Sequence, residues 1–138
     1  MTKERARRTE NLNNEVYLRR SALHLEPLAA TMYAALRSTS NHWNVQTVLG
    51  YGIALLYDGQ VPPKEAFPQD RSKLVAPKKI PLWVSYRLTE VQSERLRVIA
   101  ERLKDTGRFT GHLRGLTSKA LRLAVVAVWL AEGRPRYR

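Results

Sequence analysis

The same short pattern occurs twice in this chain of 138 residues, once on each side of a proline-rich stretch. Each copy contains an alternating segment, a helix, a turn and an apolar helix that ends at a glycine. Residues 60–80 contain four prolines, which predicts an extended linker because proline removes a backbone donor and clashes inside a helix. Since neither copy can bury its apolar helix alone, the repeat predicts that the two copies pack together.

The second copy has the clearer pattern. Apolar residues alternate with other residues from Leu82 to Leu88, which is typical of a strand with one buried face. Thr89, with Gln92 three residues later, is a capping-box pattern and predicts the start of a helix. We expect that helix to bury a stripe of four residues, namely Val91, Val98, Ile99 and Leu103.

The last helix of the second copy is apolar nearly all round, which predicts a central, buried position. We expect Thr117 or Ser118 to cap it and Gly133 to end it. The glycines that precede it predict a long loop containing Gly107, Gly111 and Gly115.

The first copy is less regular, and two registers are open for its strand. One register alternates Leu23 and Leu25 with an outward face of Arg20, Ala22 and His24. The other alternates Tyr17, Arg19 and Ser21 with Val16 and Leu18. Further along, we expect Pro27 at the first position of a helix, Asn44 as the cap of a second helix, and Gly59 at its end.

Aligning the two copies locates an insertion. The strands align when Leu25 is set against Leu88, and the apolar helices align when Gly59 is set against Gly133. The second offset is larger than the first, so the second copy has extra residues, which fall in the loop from Gly107 to Thr117. The helix alignment also places Gly50 opposite Ala124, which predicts that the two apolar helices cross closely there. The alternative is a helix broken at Tyr51.

This order of elements resembles the ribbon-helix-helix superfamily of DNA-binding proteins. The resemblance is closest from Trp83 to Leu103 and from Gly115 to Ala120, where the family has its strand, capped first helix, turn and second helix. It implies a mainly helical fold with a short two-stranded antiparallel ribbon that enters the major groove. Two copies in one chain imply a tandem pseudo-dimer, similar to the single-chain members of the superfamily that bind T-DNA borders of virulence plasmids.

The resemblance also implies where DNA would be contacted. Arg87 is the leading base reader, because its fork matches the O6/N7 edge of guanine, although an exposed strand arginine can also simply pair with a carboxylate. The candidate base-reading face of the ribbon comprises Arg87, Ser85, Trp83, Arg20, Ala22 and His24. Since the two strands differ, a non-palindromic site is expected. Phosphate contacts are expected at the second-helix N-termini and before the second strand, at Asn44, Thr117, Ser118, Lys119, Lys78 and Lys79.

Charge points to the same class of partner. The chain has 24 basic and 12 acidic residues, a net charge of +12, and a large excess of one sign favours binding to a polyanion over a merely solvated surface. We therefore expect double-stranded DNA as the partner of an intramolecular pseudo-dimer that is otherwise monomeric. The setting would be transcriptional repression or plasmid or phage DNA maintenance or transfer, where a plasmid ATPase, a relaxase or a polymerase is a further candidate partner.

Other functions have less support. The chain has no cysteine and only three histidines, without metal-ligand spacing, so we expect no metal, no cofactor and no enzymatic activity. The first ten residues are polar and the longest apolar run is far below the roughly 20 residues that span a bilayer. We expect a cytoplasmic, nucleoid-associated protein without a membrane partner. The alternatives are a helical protein-interaction factor, for example one that binds polymerase, and an RNA-binding protein.

The predicted organisation has five parts. These are a basic N-terminal tail (1–14), a first ribbon-helix-helix unit (15–59), a basic proline-rich linker (60–80), a second unit (81–133) and a basic C-terminal tail (134–138).

Overall fold

The computed structural model describes residues 16–60, 83–105 and 113–136. They form four helices and two short strands, so this part of the chain is mainly helical with a small antiparallel sheet. The elements are β1 (Ser21–His24), α1 (Glu26–Thr39), α2 (Val45–Tyr57), β2 (Trp83–Tyr86), α3 (Glu90–Asp105) and α4 (Leu113–Ala131). The predicted tail at 1–14, Lys78 and Lys79 of the linker, and Gly107 and Gly111 of the loop lie outside the described residues.

The two strands form a ribbon although α1, α2 and the proline-rich linker separate them in sequence. They pair antiparallel, with Leu23 opposite Val84 and His24 opposite Trp83. Leu23 and Val84 are buried, and Leu25 just after β1 is buried as well. The register with Leu23 and Leu25 facing inward is therefore confirmed for the first copy, and the competing register is wrong.

Helix ends follow the predicted local chemistry. Before α3, the Gln92 backbone N–H donates to Thr89 Oγ1 (3.1 Å), and the Thr89 N–H donates to Gln92 Oε1 (3.0 Å), which confirms the capping box. The Thr47 N–H donates to Asn44 Oδ1 (2.9 Å) at the start of α2. Pro27 lies in the first turn of α1. These contacts join neighbours in sequence, which is why the sequence predicts them.

The two apolar helices end in the same way. Gly59 and Gly133 have φ values of +91° and +84°, a conformation that glycine adopts without strain. After α2, the Gln60 N–H donates to the carbonyl of Leu55 (3.0 Å), and after α4 the Arg134 N–H donates to that of Trp129 (2.9 Å). Both ends are Schellman motifs, as the terminal glycines predict.

Helix α4 is the centre of the core and packs against α1, α2 and α3. Its Val125, Val126 and Val128 are all buried, as predicted for a helix that is apolar nearly all round. Helix α2 crosses it closely at Gly52, where a Cβ atom would lie 2.4 Å from the carbonyl oxygen of Ala124. The structure thus contradicts the predicted crossing at Gly50 and also the break at Tyr51, since α2 is continuous.

Two predictions about the second copy are wrong. Val91 is 52% exposed, and α3 instead buries Leu96, Ala100 and the predicted pair of Ile99 and Leu103. Helix α4 begins at Leu113, a full turn before the expected caps, so Thr117 and Ser118 lie inside it. Leu116 is completely buried, and this burial favours continuation of the helix through Gly115.

Candidate nucleic-acid interface

The outward face of the ribbon brings together the six residues predicted to read bases. Ala22 lies opposite Ser85 and His24 opposite Trp83, while Leu23 and Val84 between them face the core. Ala22, Ser85, Arg20, Trp83 and Arg87 are exposed and His24 is half-buried. The six residues include two arginines and no carboxylate, so this face has basic, aromatic and small polar groups available to a ligand.

Pairing continues beyond β1 with a change of register. The Leu18 N–H donates to the carbonyl of Leu88 (2.7 Å), whereas Ser21 pairs with Tyr86. Between these two pairs the first strand has two residues, Arg19 and Arg20, whereas the second strand has only one, Arg87. This arrangement is a β-bulge, which twists a strand and changes the direction of its side chains. It places three arginines at one end of the ribbon.

Arg87 is held at several points. Its Nε donates to the carbonyl oxygen of Leu18 (3.0 Å), and its guanidinium carbon lies 5.7 Å from the centre of the Tyr17 ring. The terminal Nη atoms form no hydrogen bond with the described part of the chain. An arginine anchored through Nε keeps its two terminal nitrogens for a second partner, which is the geometry that bidentate recognition requires.

Two further contacts lie on the outward face of the ribbon, one between polar side chains and one between aromatic rings. Arg20 Nη1 donates to Ser85 Oγ (3.3 Å), across the strands. At the opposite end from the bulge, the ring centres of His24 and Trp83 are 4.9 Å apart with a tilt of 49°. Trp83 is 66% exposed, which is unusual for the largest apolar side chain.

Two side chains from the helices fix the strands, and sequence reasoning missed both. The Gln46 amide of α2 bonds both backbone groups of Arg87: its Nε2 donates to the carbonyl and its Oε1 accepts from the N–H, each at 2.7 Å. Arg122 of α4 donates from Nε to the carbonyl of His24 (2.8 Å). We call Gln46 and Arg122 the strand latches. The alignment of the apolar helices sets Gln46 against Ala120 and Arg122 against Val48. Since neither residue recurs at the equivalent position, the repeat does not predict these two contacts.

The predicted phosphate-binding residues are placed differently in the two copies. Asn44 caps α2, and Gln46 in the first turn of the same helix bonds Arg87, so this helix N-terminus adjoins the ribbon. Thr117, Ser118 and Lys119 are half-buried within α4, more than one turn after its start, instead of at its N-terminus. Only the first copy therefore has its predicted cap at the helix end beside the ribbon.

The inner face of the ribbon is apolar and close to the core. Burial raises the pKa of the Tyr86 hydroxyl, and a hydrogen bond with the Ser21 side chain opposes this effect. Burial likewise raises the pKa of Tyr33 on α1, against the opposing charge of Arg37. Tyr33 belongs to the core, and Tyr86 packs against it.

The described ranges contain no cluster of three potential metal ligands. Within the same ranges, each helix is too short or too polar to cross a bilayer. The chain matches no known family model, and no curated protein or solved structure matches it significantly.

Proposed function

We propose that this protein is a single-chain tandem ribbon-helix-helix protein that binds double-stranded DNA and reads bases in the major groove with its two-stranded ribbon. The observation that carries the proposal is the outward ribbon face, which combines two arginines, a serine and an exposed tryptophan and includes no carboxylate among its six predicted base readers. A major groove about 12 Å wide admits a two-stranded ribbon.

The contacts of the strand latches support the tandem arrangement. The alignment of the two strands makes His24 equivalent to Arg87. Gln46 of α2 bonds Arg87 in the second copy, and Arg122 of α4 bonds His24 in the first copy. Each apolar helix therefore fixes the strand of the other copy. This exchange is what two intertwined units would show. The matching Schellman ends of the two apolar helices support the same interpretation.

Phosphate contacts would supply most of the affinity. The N-terminus of α2 adjoins the ribbon, and the free N–H groups of a first helical turn attract anions. Lys78, Lys79 and the side chains of Thr117, Ser118 and Lys119 remain candidates for sequence-independent contacts. With a net charge of +12, binding should weaken steeply as salt rises. The proposed role is repression of transcription or the maintenance or transfer of plasmid or phage DNA.

The test is selection of bound duplexes from a random-sequence library by the full chain at about 0.15 M salt. We expect recovery of one asymmetric motif. Tight binding without any motif would replace base reading with an architectural role. If no duplex is retained, DNA binding is wrong, and a protein-interaction factor becomes the better hypothesis.

Arg87→Ala sharpens this test. It should cost roughly 1–3 kcal/mol of binding free energy at one base position of the selected motif, because a bidentate contact to guanine is lost. Arg97→Ala is the matched control, since Arg97 is an exposed arginine on α3 that bonds Glu101 and removal of its charge is equivalent. Equal weakening by both variants on all sequences would contradict base reading by Arg87.

A further inference from the structure

The two ends of the ribbon face differ in chemistry. The bulged end carries Arg19, Arg20 and Arg87, with the Arg87 guanidinium anchored on Leu18. The other end carries the His24–Trp83 ring pair. Small residues, Ala22 and Ser85, lie between these ends. The face therefore has three arginines at one end, where the Tyr17 ring lies against Arg87, and an exposed indole at the other. A symmetric ribbon would not show this difference.

The distance between the ends fits a short stretch of duplex. Arg87 and Trp83 are four residues apart along the second strand, which corresponds to about 13 Å at the usual rise of a strand. Successive base pairs are about 3.4 Å apart along the helix axis, so the two ends are separated by about four base pairs. Each end can therefore meet a different base pair in one groove.

We propose that the ribbon binds its duplex in a single orientation, with a guanine at the Arg87 end and thymines about four base pairs away at the Trp83 end. This inference rests on the proposed function. The terminal nitrogens of Arg87 match the two acceptors that guanine presents in the major groove. The indole of Trp83 matches the C5-methyl of thymine, which is the only apolar group on the floor of that groove.

The exposure of Trp83 supports its assignment to thymine. The side chain is 66% exposed, although its neighbours on the inner face, Val84 and Leu23, are buried. A large exposed ring, with the His24 ring centre 4.9 Å away, is an apolar surface that a ligand would cover. Covering the face of the ring with methyl groups removes apolar area from water, whereas the acceptors of a guanine edge would find no donor on that face.

The experiment removes single atoms or groups from the selected duplex. Replacing each thymine by deoxyuridine deletes only the methyl group, and we expect an affinity loss of about fourfold per contacted thymine at one end of the motif. Replacing guanine by 7-deazaguanine deletes one acceptor, and we expect a loss of about tenfold at the other end. Affinities are measured by titration with the full chain.

The variants assign each effect to a residue. In Trp83→Ala the deoxyuridine effect should disappear while the 7-deazaguanine effect remains, and in Arg87→Ala the reverse should hold. Val91→Ala, which shortens an exposed apolar side chain on α3, should retain both effects. Retention of the deoxyuridine effect in Trp83→Ala would overturn the thymine assignment.

The outcomes separate this inference from the proposed function. A palindromic motif, or duplex binding without any motif, would overturn the proposed single orientation but would leave DNA binding intact. Failure to bind any duplex would overturn both. Tighter binding to single-stranded oligonucleotides than to duplexes would overturn the groove model, because the rings and arginines would then act as a stacking platform for bases.

Discussion

The two halves of the described chain have the same order of elements, a strand followed by two helices, but different stabilising contacts. Helix α3 starts with a complete capping box, whereas α1 starts after Leu25 without a side-chain cap. Helix α2 starts at an asparagine cap and has 13 residues, whereas α4 has 19. Helix α1 packs on α4, while α3 packs on both α2 and α4. Both halves contribute buried residues to one core.

The comparison shows which features the two halves share. Buried leucines after each strand and glycine ends on both apolar helices are shared, because burial and chain reversal allow few residue types. The residues that cap the helices and the residues that latch the strands differ between the two halves, because several polar side chains can bond the same backbone group. Gln46 bonds two groups of one strand and Arg122 bonds one group of the other.

The helix crossing offers the largest expected effect. Gly52→Ala would place a Cβ atom 2.4 Å from the carbonyl of Ala124, and backbone on the far side cannot move away as a side-chain tip can. We expect a loss of about 3 kcal/mol in the free energy of unfolding, measured by urea denaturation. Gly50→Ala is the control: its Cβ would meet only the tip of Gln92, and the gain of about 1 kcal/mol in helix propensity offsets that contact. Equal effects would contradict the crossing at Gly52.

The capping box of α3 is the next target. Thr89→Ala removes the hydroxyl that accepts from the Gln92 N–H, and we expect a loss of about 1 kcal/mol in the free energy of unfolding. Thr89→Ser keeps the hydroxyl and should retain most of the stability. If the two variants have the same denaturation midpoint, the cap does not stabilise the fold.

The strand latches should show a local effect. Gln46→Ala removes the acceptor for the Arg87 N–H, so hydrogen exchange of that amide should become faster, with a stability loss of about 1 kcal/mol. Arg122→Ala, the variant of the other latch, should leave the Arg87 amide unchanged. Unchanged exchange in Gln46→Ala would show that this latch does not hold the strand.

The smallest effect concerns surface charge on α3. A hydrogen bond from Arg97 lowers the pKa of Glu94, whose side chain is exposed. A lowered pKa stabilises the fold above the ordinary carboxyl range, and this contribution disappears as the pH falls through the lowered value. Because solvent screens the pair, Glu94→Gln should change the melting temperature at neutral pH by no more than about 1 °C. A larger change that persists in acid would contradict this assignment.

Much of the fold could be predicted because its signals are local. The alternation in each strand, the cap at Thr89 and the ends at Gly59 and Gly133 depend on residues within a few positions of each other. The sequence predicts the stripe of α3 only in part, since Val91 and Leu96 are both apolar and periodicity does not tell which of them meets another helix. The sequence does not predict the start of α4, because burial of Leu116 outweighs the preference of threonine and serine for caps.

The sequence by itself determined most of the helical and strand segments and, for each possible register, which side chains share a face of the ribbon. The structure then chose the register of the first strand. Alternation with period two decides which side chains share a face, whatever the partner strand is. Only the tertiary structure decided the bulge beside Arg87, the latches at Gln46 and Arg122, and the contact at Gly52. These features depend on distances between residues that are far apart along the chain, and no local preference encodes such distances.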